Sequence, residues 1–160
     1  MKRKQLSKRD IKELTARIQQ TFGDAAVATL PKDVIALQDS DLCVYASTGG
    51  SAKSLFFERD SSIYPTITTA ATILPKVAID LGAIKFVLKG ADLMRPGVTG
   101  IKEEFHENSP VAIIAGEGLC VAVGIALQSS DIMRGSSSGK CVQIIHRGAD
   151  VIDKALESPQ

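Results

Sequence analysis

Residues 119–127 read LCVAVGIAL, and their alternation is the tightest constraint on what the chain can fold into. Leu119, Val121, Val123, Ile125 and Leu127 fall on one side of an extended chain; Cys120, Ala122, Gly124 and Ala126 fall on the other. A helix would scatter both sets around its circumference. A strand separates them, giving a large-residue face and a small-residue face that something can approach closely. Gly116-Glu117-Gly118 makes a tight turn into this strand from the apolar run PVAIIA (110–115), so the two runs form a hairpin. CVQIIH (141–146) predicts a further strand.

Glycine divides the chain. Residues 1–80 hold three of the 13 glycines and residues 81–160 hold ten. Short strands punctuated by glycine suggest a small barrel in the second half, because glycine allows sharp bends. The first half reads differently. Ser7-x-x-Asp10 forms a capping box that opens an amphipathic helix with Ile11, Leu14, Ile18 and Phe22 on one face, ending near Gly23. Leu6 and Ile11 have the spacing of a hydrophobic staple. DVIALQ (33–38), DLCVYAS (41–47) and KSLFFE (53–58), separated by short polar turns, predict an antiparallel meander. YPTITTAATILP (64–75), with a proline near each end, reads as a connector that can hold a short helix. The expected organisation is α+β: an N-terminal α+β domain over residues 1–74 and a barrel domain over residues 75–160.

No stretch reaches the ~18 uninterrupted apolar residues of a membrane span. The basic N-terminus has no apolar run after it, so it does not read as a signal peptide. Cys43, Cys120 and Cys141 are far apart, odd in number and set in apolar runs, as expected for reduced thiols of a cytoplasmic protein. The net charge of +1 hides an asymmetry: residues 1–20 carry seven Lys or Arg and two acids, +5, so the remainder sums to −4. A basic head on a near-neutral body suits an anionic partner; a solvated helix face explains it almost as well.

Several motif-like strings fail on context. GSSSG (135–139) matches the letters of a hydrolase nucleophile elbow, but that motif needs a strand before it and a helix after it. Here a strand follows. GSSSGK and GGSAKS lack the spacing and the Gly-Lys-Ser/Thr ending of a phosphate loop. His106, in the acidic turn KEEFHEN, and His146 form no metal-ligand pair with the scattered cysteines. No cofactor, metal or catalytic constellation is expected, and the chain reads as non-enzymatic.

LKGADLMRPGV (88–98) carries the positive signal. Lys85 and Lys89 share a helix face, with Ile84, Val87 and Leu88 expected to point into the barrel. Gly90 can take φ > 0 at the helix end, leaving its amide approachable by a sugar-phosphate backbone. Arg95 offers a bidentate fork to phosphate, aimed by the Pro96-Gly97 turn. From spacing alone, a glycine cap flanked by solvated lysines is the simpler reading. With aromatics at 4% and no tryptophan, recognition by backbone and shape is expected over base stacking.

LFFERDSSIYPT, LGAIKFVLKGADLMRPGVT and VAIIAGEGLCVAVGIAL resemble the malignant T-cell-amplified sequence family. That family carries a PUA (pseudouridine synthase and archaeosine transglycosylase) domain behind its own N-terminal domain. The resemblance runs from about residue 53 to residue 147 and more weakly to the N-terminus. It implies an RNA-binding PUA pseudo-barrel behind a small domain in which a helix packs on a curved antiparallel sheet. It also implies a translation-related factor acting on the small ribosomal subunit or tRNA, with structured RNA (rRNA or tRNA) as partner. The N-terminal domain is left for a protein partner. In PUA domains RNA lies against the first helix, the glycine turn after it and the last strand. Those places become Lys85, Lys89, Gly90, Ala91, Arg95, Gln143, His146 and Arg147 here. The competing expectation is a specificity subunit for a separate RNA-modifying enzyme of pseudouridine synthase or transglycosylase type.

Overall fold

The structure is a computed structural model that describes residues 1–157. The chain divides into two compact units, one of residues 1–73 with the segment from Val151, the other Leu74–Asp150.

In the first unit, β1 (Lys2–Gln5) leads into α1 (Lys8–Phe22) and the single turn α2 (Asp24–Val27). β2 (Val34–Gln38), β3 (Leu42–Ser47), β4 (Lys53–Arg59), β5 (Ser62–Pro65) and α3 (Ile67–Ile73) follow. The five strands form one sheet in sequence order, each neighbour antiparallel. The capping box is present: the Asp10 amide donates to Ser7 Oγ at 3.0 Å and the Ser7 amide to Asp10 Oδ2 at 3.1 Å. Two otherwise orphaned donors are thereby satisfied and the helix start is fixed. α1 buries Leu14 and Ile18 against Val34, Phe56 and Ile63, with Leu6 and Phe22 half-buried at the margin. α3 resolves the ambiguous connector. The buried Thr66 and Thr69 hydroxyls donate to the backbone carbonyls of Ser54 (2.7 Å) and Leu55 (2.6 Å), tying this helix to β4.

Two elements of this unit differ from expectation. β1 has the sequence KRKQ, with no apolar residue to signal a strand; backbone pairing alone holds it, with Lys2 opposite Gln38 and Gln5 opposite Ile35. The C-terminal segment, assigned from sequence to the second domain, belongs to the first unit. Its Ile152 and Ala155 are buried, and the 3-10 turn Ala155–Glu157 packs near β4. Two apolar residues without a repeating period gave no sign of where they dock.

The second unit contains β6 (Lys76–Ile79), α4 (Leu81–Leu88), β7 (Leu93–Met94), β8 (Val98–Ile101), β9 (Pro110–Ala115), β10 (Leu119–Ala126), α5 (Ser130–Gly135) and β11 (Lys140–Arg147). Its sheet runs β7-β11-β10-β9-β6-β8, antiparallel except for the β6–β9 pair. Val77, Val87, Leu93, Ile113, Ala122, Met133 and Val142 build the core. The hairpin at 116–118 is as read. The strict alternation of β10 is not: Leu119 is 68% exposed, whereas Ala122, Val123 and Ala126 are all fully buried. Register shifts at Cys120/Ala122 against β9 and at Val123/Gly124 against β11 break the period of two. What approaches the small-residue face is the chain itself. A Cβ at Gly124 would overlap Val142 Cγ1 and lie 2.8 Å from the Gln143 carbonyl oxygen.

All three cysteines are reduced. Burial pushes the thiols of Cys120 and Cys141 up to about 11, and that of Cys43 upward as well. The reactive thiolate is therefore scarce near neutrality. Alkylation at pH 7.5 should be slow for the native protein and give three labels under denaturing, non-reducing conditions. One label or none would reveal a disulfide.

Candidate nucleic-acid interface

α4 starts where Asp80 Oδ1 accepts the Ala83 amide at 2.8 Å. It ends in a Schellman arrangement: the Gly90 amide donates to the Val87 carbonyl at 2.9 Å and the Ala91 amide to the Phe86 carbonyl at 3.0 Å. Gly90 sits at φ +90°, a conformation that side-chain-bearing residues rarely adopt. Both amides are thus engaged by the cap, and that of Gly90 is not offered outward as the sequence reading supposed. The missing Cβ of Gly90 serves a second purpose. A Cβ there would lie 3.4 Å from Cζ of Arg147, whose Nε donates to the Leu88 carbonyl at 2.9 Å. A guanidinium consequently covers the partially negative end of α4.

Lys85, Lys89, Gly90, Ala91 and Arg147 come together at this helix end. Lys85 and Lys89 are exposed and form no ion pair among the described residues; Lys85 Nζ stands 5.3 Å from the centre of the Phe86 ring. Gln143 is exposed on β11. Two predicted residues do not fit the role given to them. His146 is 1% exposed, with Nδ1 2.8 Å from Asp150 Oδ2, which also accepts the Arg147 amide at 2.9 Å. Successive strand residues point to opposite faces, so the position that turns Arg147 outward turns His146 inward. Arg95 is half-buried, and its Nε donates to the Met133 carbonyl at 2.6 Å and one terminal nitrogen to the Val98 carbonyl at 3.3 Å. Its fork clamps the ends of α5 and of the 3-10 turn Arg95–Gly97 instead of standing open to phosphate.

The sequence reading missed Phe86. Ile84 and Val87 pack inward as expected, but Leu88 is 40% exposed and Phe86 55%. Phe86 is the one mainly exposed aromatic among the described residues. With Ala83, Leu93, Met94, Pro96 and Lys140 it lines an open groove of about 690 Å³. Asp92 stands at the groove wall, accepting the Ile144 amide at 3.1 Å and lying 3.4 Å from Lys140 Nζ. The signal was present: α4 carries five large apolar residues in eight positions, more than one face can bury.

A helix end bearing two unpaired lysines, an arginine over a glycine turn and an apolar groove alongside form a surface fitted to an anionic, partly apolar polymer. Residues 75–148 match the PUA domain family, so this stretch of the chain is a PUA domain. It is 29% identical over 158 residues, 94% of each chain, to an uncharacterised protein of Methanocaldococcus jannaschii. It is 34% identical over 100 residues to malignant T-cell-amplified sequence 1-B of Xenopus laevis, covering 58% of this chain and 55% of that one. Against translation machinery-associated protein 20 of Saccharomyces cerevisiae the identity is 27% over 106 residues, 60% of this chain and 59% of the other. The chain thus matches somewhat over half the length of these eukaryotic relatives. A hypothetical protein from Pyrococcus horikoshii OT3 superposes with a TM-score of 0.76 at 28% identity, covering 96% of this chain and 98% of that one.

Among the described residues no group of three or more His, Cys, Asp or Glu is placed to hold a metal ion, and no helix is long and apolar enough to cross a membrane.

Proposed function

We propose that the end of α4, its glycine turn and the outer edge of β11 bind structured RNA, and that the chain works without catalysis in a translation-related role, on the small ribosomal subunit or tRNA. The observation that carries this reading is the pair of exposed, unpaired lysines one helical turn apart beside Arg147 in a PUA domain. The names of the eukaryotic relatives, one of them translation machinery-associated, support the process. Lys85, Lys89 and the outer face of Arg147 meet phosphates. Gly90 and Ala91 shape the surface, and Arg95 and His146 act behind it as structural residues.

Charge reversal at Lys85 and Lys89 together should weaken binding to a structured RNA and flatten its salt dependence by roughly one to two units of slope. An unchanged slope would overturn the assignment. Recovery of the cellular RNA by crosslinking identifies the target: small-subunit rRNA or tRNA is expected, whereas co-purification with an RNA-modifying enzyme would indicate a specificity subunit. Phe86 gives a separate readout. A base stacked on an aromatic ring contributes about 1–3 kcal/mol, and a ring so open to solvent belongs at the lower end. Phe86→Ala should therefore weaken RNA with a single-stranded end about 5- to 10-fold, measured by fluorescence anisotropy, and leave a blunt duplex unaffected.

A further inference from the structure

We propose that the first unit carries a second RNA surface, formed by β1 and the exposed side of the first turns of α1, which grips the phosphates of duplex RNA independently of the face at α4. β1 is the outermost strand of its sheet, and all four of its residues are exposed. No apolar side chain holds it in place, so burial does not account for its sequence. Lysine on an edge strand commonly protects against edge-to-edge aggregation. That alone does not explain three successive cations, Lys2, Arg3 and Lys4, continued on the adjoining helix by Lys8 and Lys12.

Ion pairing sharpens the distinction. Arg9 is paired with Glu13 and Arg17 with Glu58, whereas Lys2, Arg3, Lys8 and Lys12 form no ion pair among the described residues. Five of the seven cations in residues 1–20, Lys2, Arg3, Lys4, Lys8 and Lys12, therefore lie on β1 and the first turns of α1, with Asp10 as the acid to count against them. Spacing names the partner. Lys2 and Lys4 are two strand positions apart, about 6.6 Å, and Lys8 and Lys12 four helical positions, about 6 Å. Cations repeated at such an interval suit a regularly charged backbone better than the irregular acids of a protein surface. No aromatic of this unit is mainly exposed among the described residues, so phosphates are read and bases are not.

The test uses the full chain, a blunt RNA duplex as probe and poly-glutamate as an acidic-polypeptide control. Lys2, Arg3, Lys8 and Lys12 are changed to Gln together, with thermal unfolding compared with the parent. If two or three of these cations meet phosphates, the salt slope should fall by about 2–3 and duplex affinity at 0.1 M salt by roughly 60- to 500-fold. A Lys85→Glu, Lys89→Glu chain should retain the contribution of the N-terminal edge. An unchanged slope in the fourfold variant, with unfolding unaltered, overturns this proposal and leaves the α4 reading standing. An unchanged slope in the Lys85/Lys89 variant alone does the reverse. Poly-glutamate binding as tight as duplex binding, and equally lost, would assign the edge to an acidic protein and also overturn the proposal. Should the fourfold variant unfold early, Lys8→Gln with Lys12→Gln on the exposed helix face decides: a slope lowered by about one supports the surface, and no change overturns it.

Discussion

A chain carrying Gly124→Ala should unfold about 3 kcal/mol more readily than its parent, at the upper end of the range for overpacking. The added methyl meets the Val142 side chain on one side and a β11 carbonyl oxygen 2.8 Å away on the other. A flexible side chain can yield to such an intrusion; a backbone carbonyl held in a sheet cannot. β10 and β11 must then separate at a bulge already present in their register. For a unit of this size the loss corresponds to roughly 10–20 °C in Tm, visible by calorimetry. Gly135→Ala is the control. No atom lies within 4 Å of its added Cβ, and the position ends a helix, so a small gain or no change is expected. Equal effects at the two positions would show that crowding at Gly124 is not the cause.

Removal of the chain from Val151 onward should destabilise the first unit by about 3–4 kcal/mol and leave the second nearly untouched. The estimate combines burial of the Ile152 side chain, about 2–3 kcal/mol, with about 1 kcal/mol for Ala155. Hydrogen exchange distinguishes the units: amides of β3 and β4 should lose protection while those of β9 and β10 keep theirs. Uniform loss across both units would contradict the division. A single cut after residue 74 is for the same reason a poor way to separate the two proposed RNA surfaces, since it strips one fragment of its buried tail and leaves that tail exposed on the other.

Strong local chemistry made much of this fold legible. The capping box fixed the start of α1, strand-like runs between short polar turns marked β2 to β4, and the Gly-Glu-Gly turn marked the β9–β10 hairpin. β1 and the C-terminal segment were not legible. One is held by backbone pairing, which any sequence can supply, and the other by two apolar residues with no period. Within the candidate site, the exposure of Lys85 and Lys89 could be read because charge and helical spacing determine it. Arg95 and His146 could not, because partners draw their polar groups inward: the Met133 carbonyl, far off in sequence, for one, and the Asp150 carboxylate four residues on for the other. Phe86 was hidden by the assumption that an apolar helix residue beside a core joins it.

The return of the C-terminal segment to the first unit also dictates an order of events during synthesis. Residues 1–73 leave the ribosome first, yet the segment that covers β4 is made only after the whole of the second unit. Leu74–Asp150 is contiguous and has its whole core in hand once residue 150 has emerged. Domains generally fold in the order in which they emerge; here the downstream one finishes first. Until the segment from Val151 emerges, the N-terminal sheet waits with the sites of Ile152 and Ala155 uncovered, so a nascent chain stalled before that segment would present a completed PUA unit behind an unfinished partner.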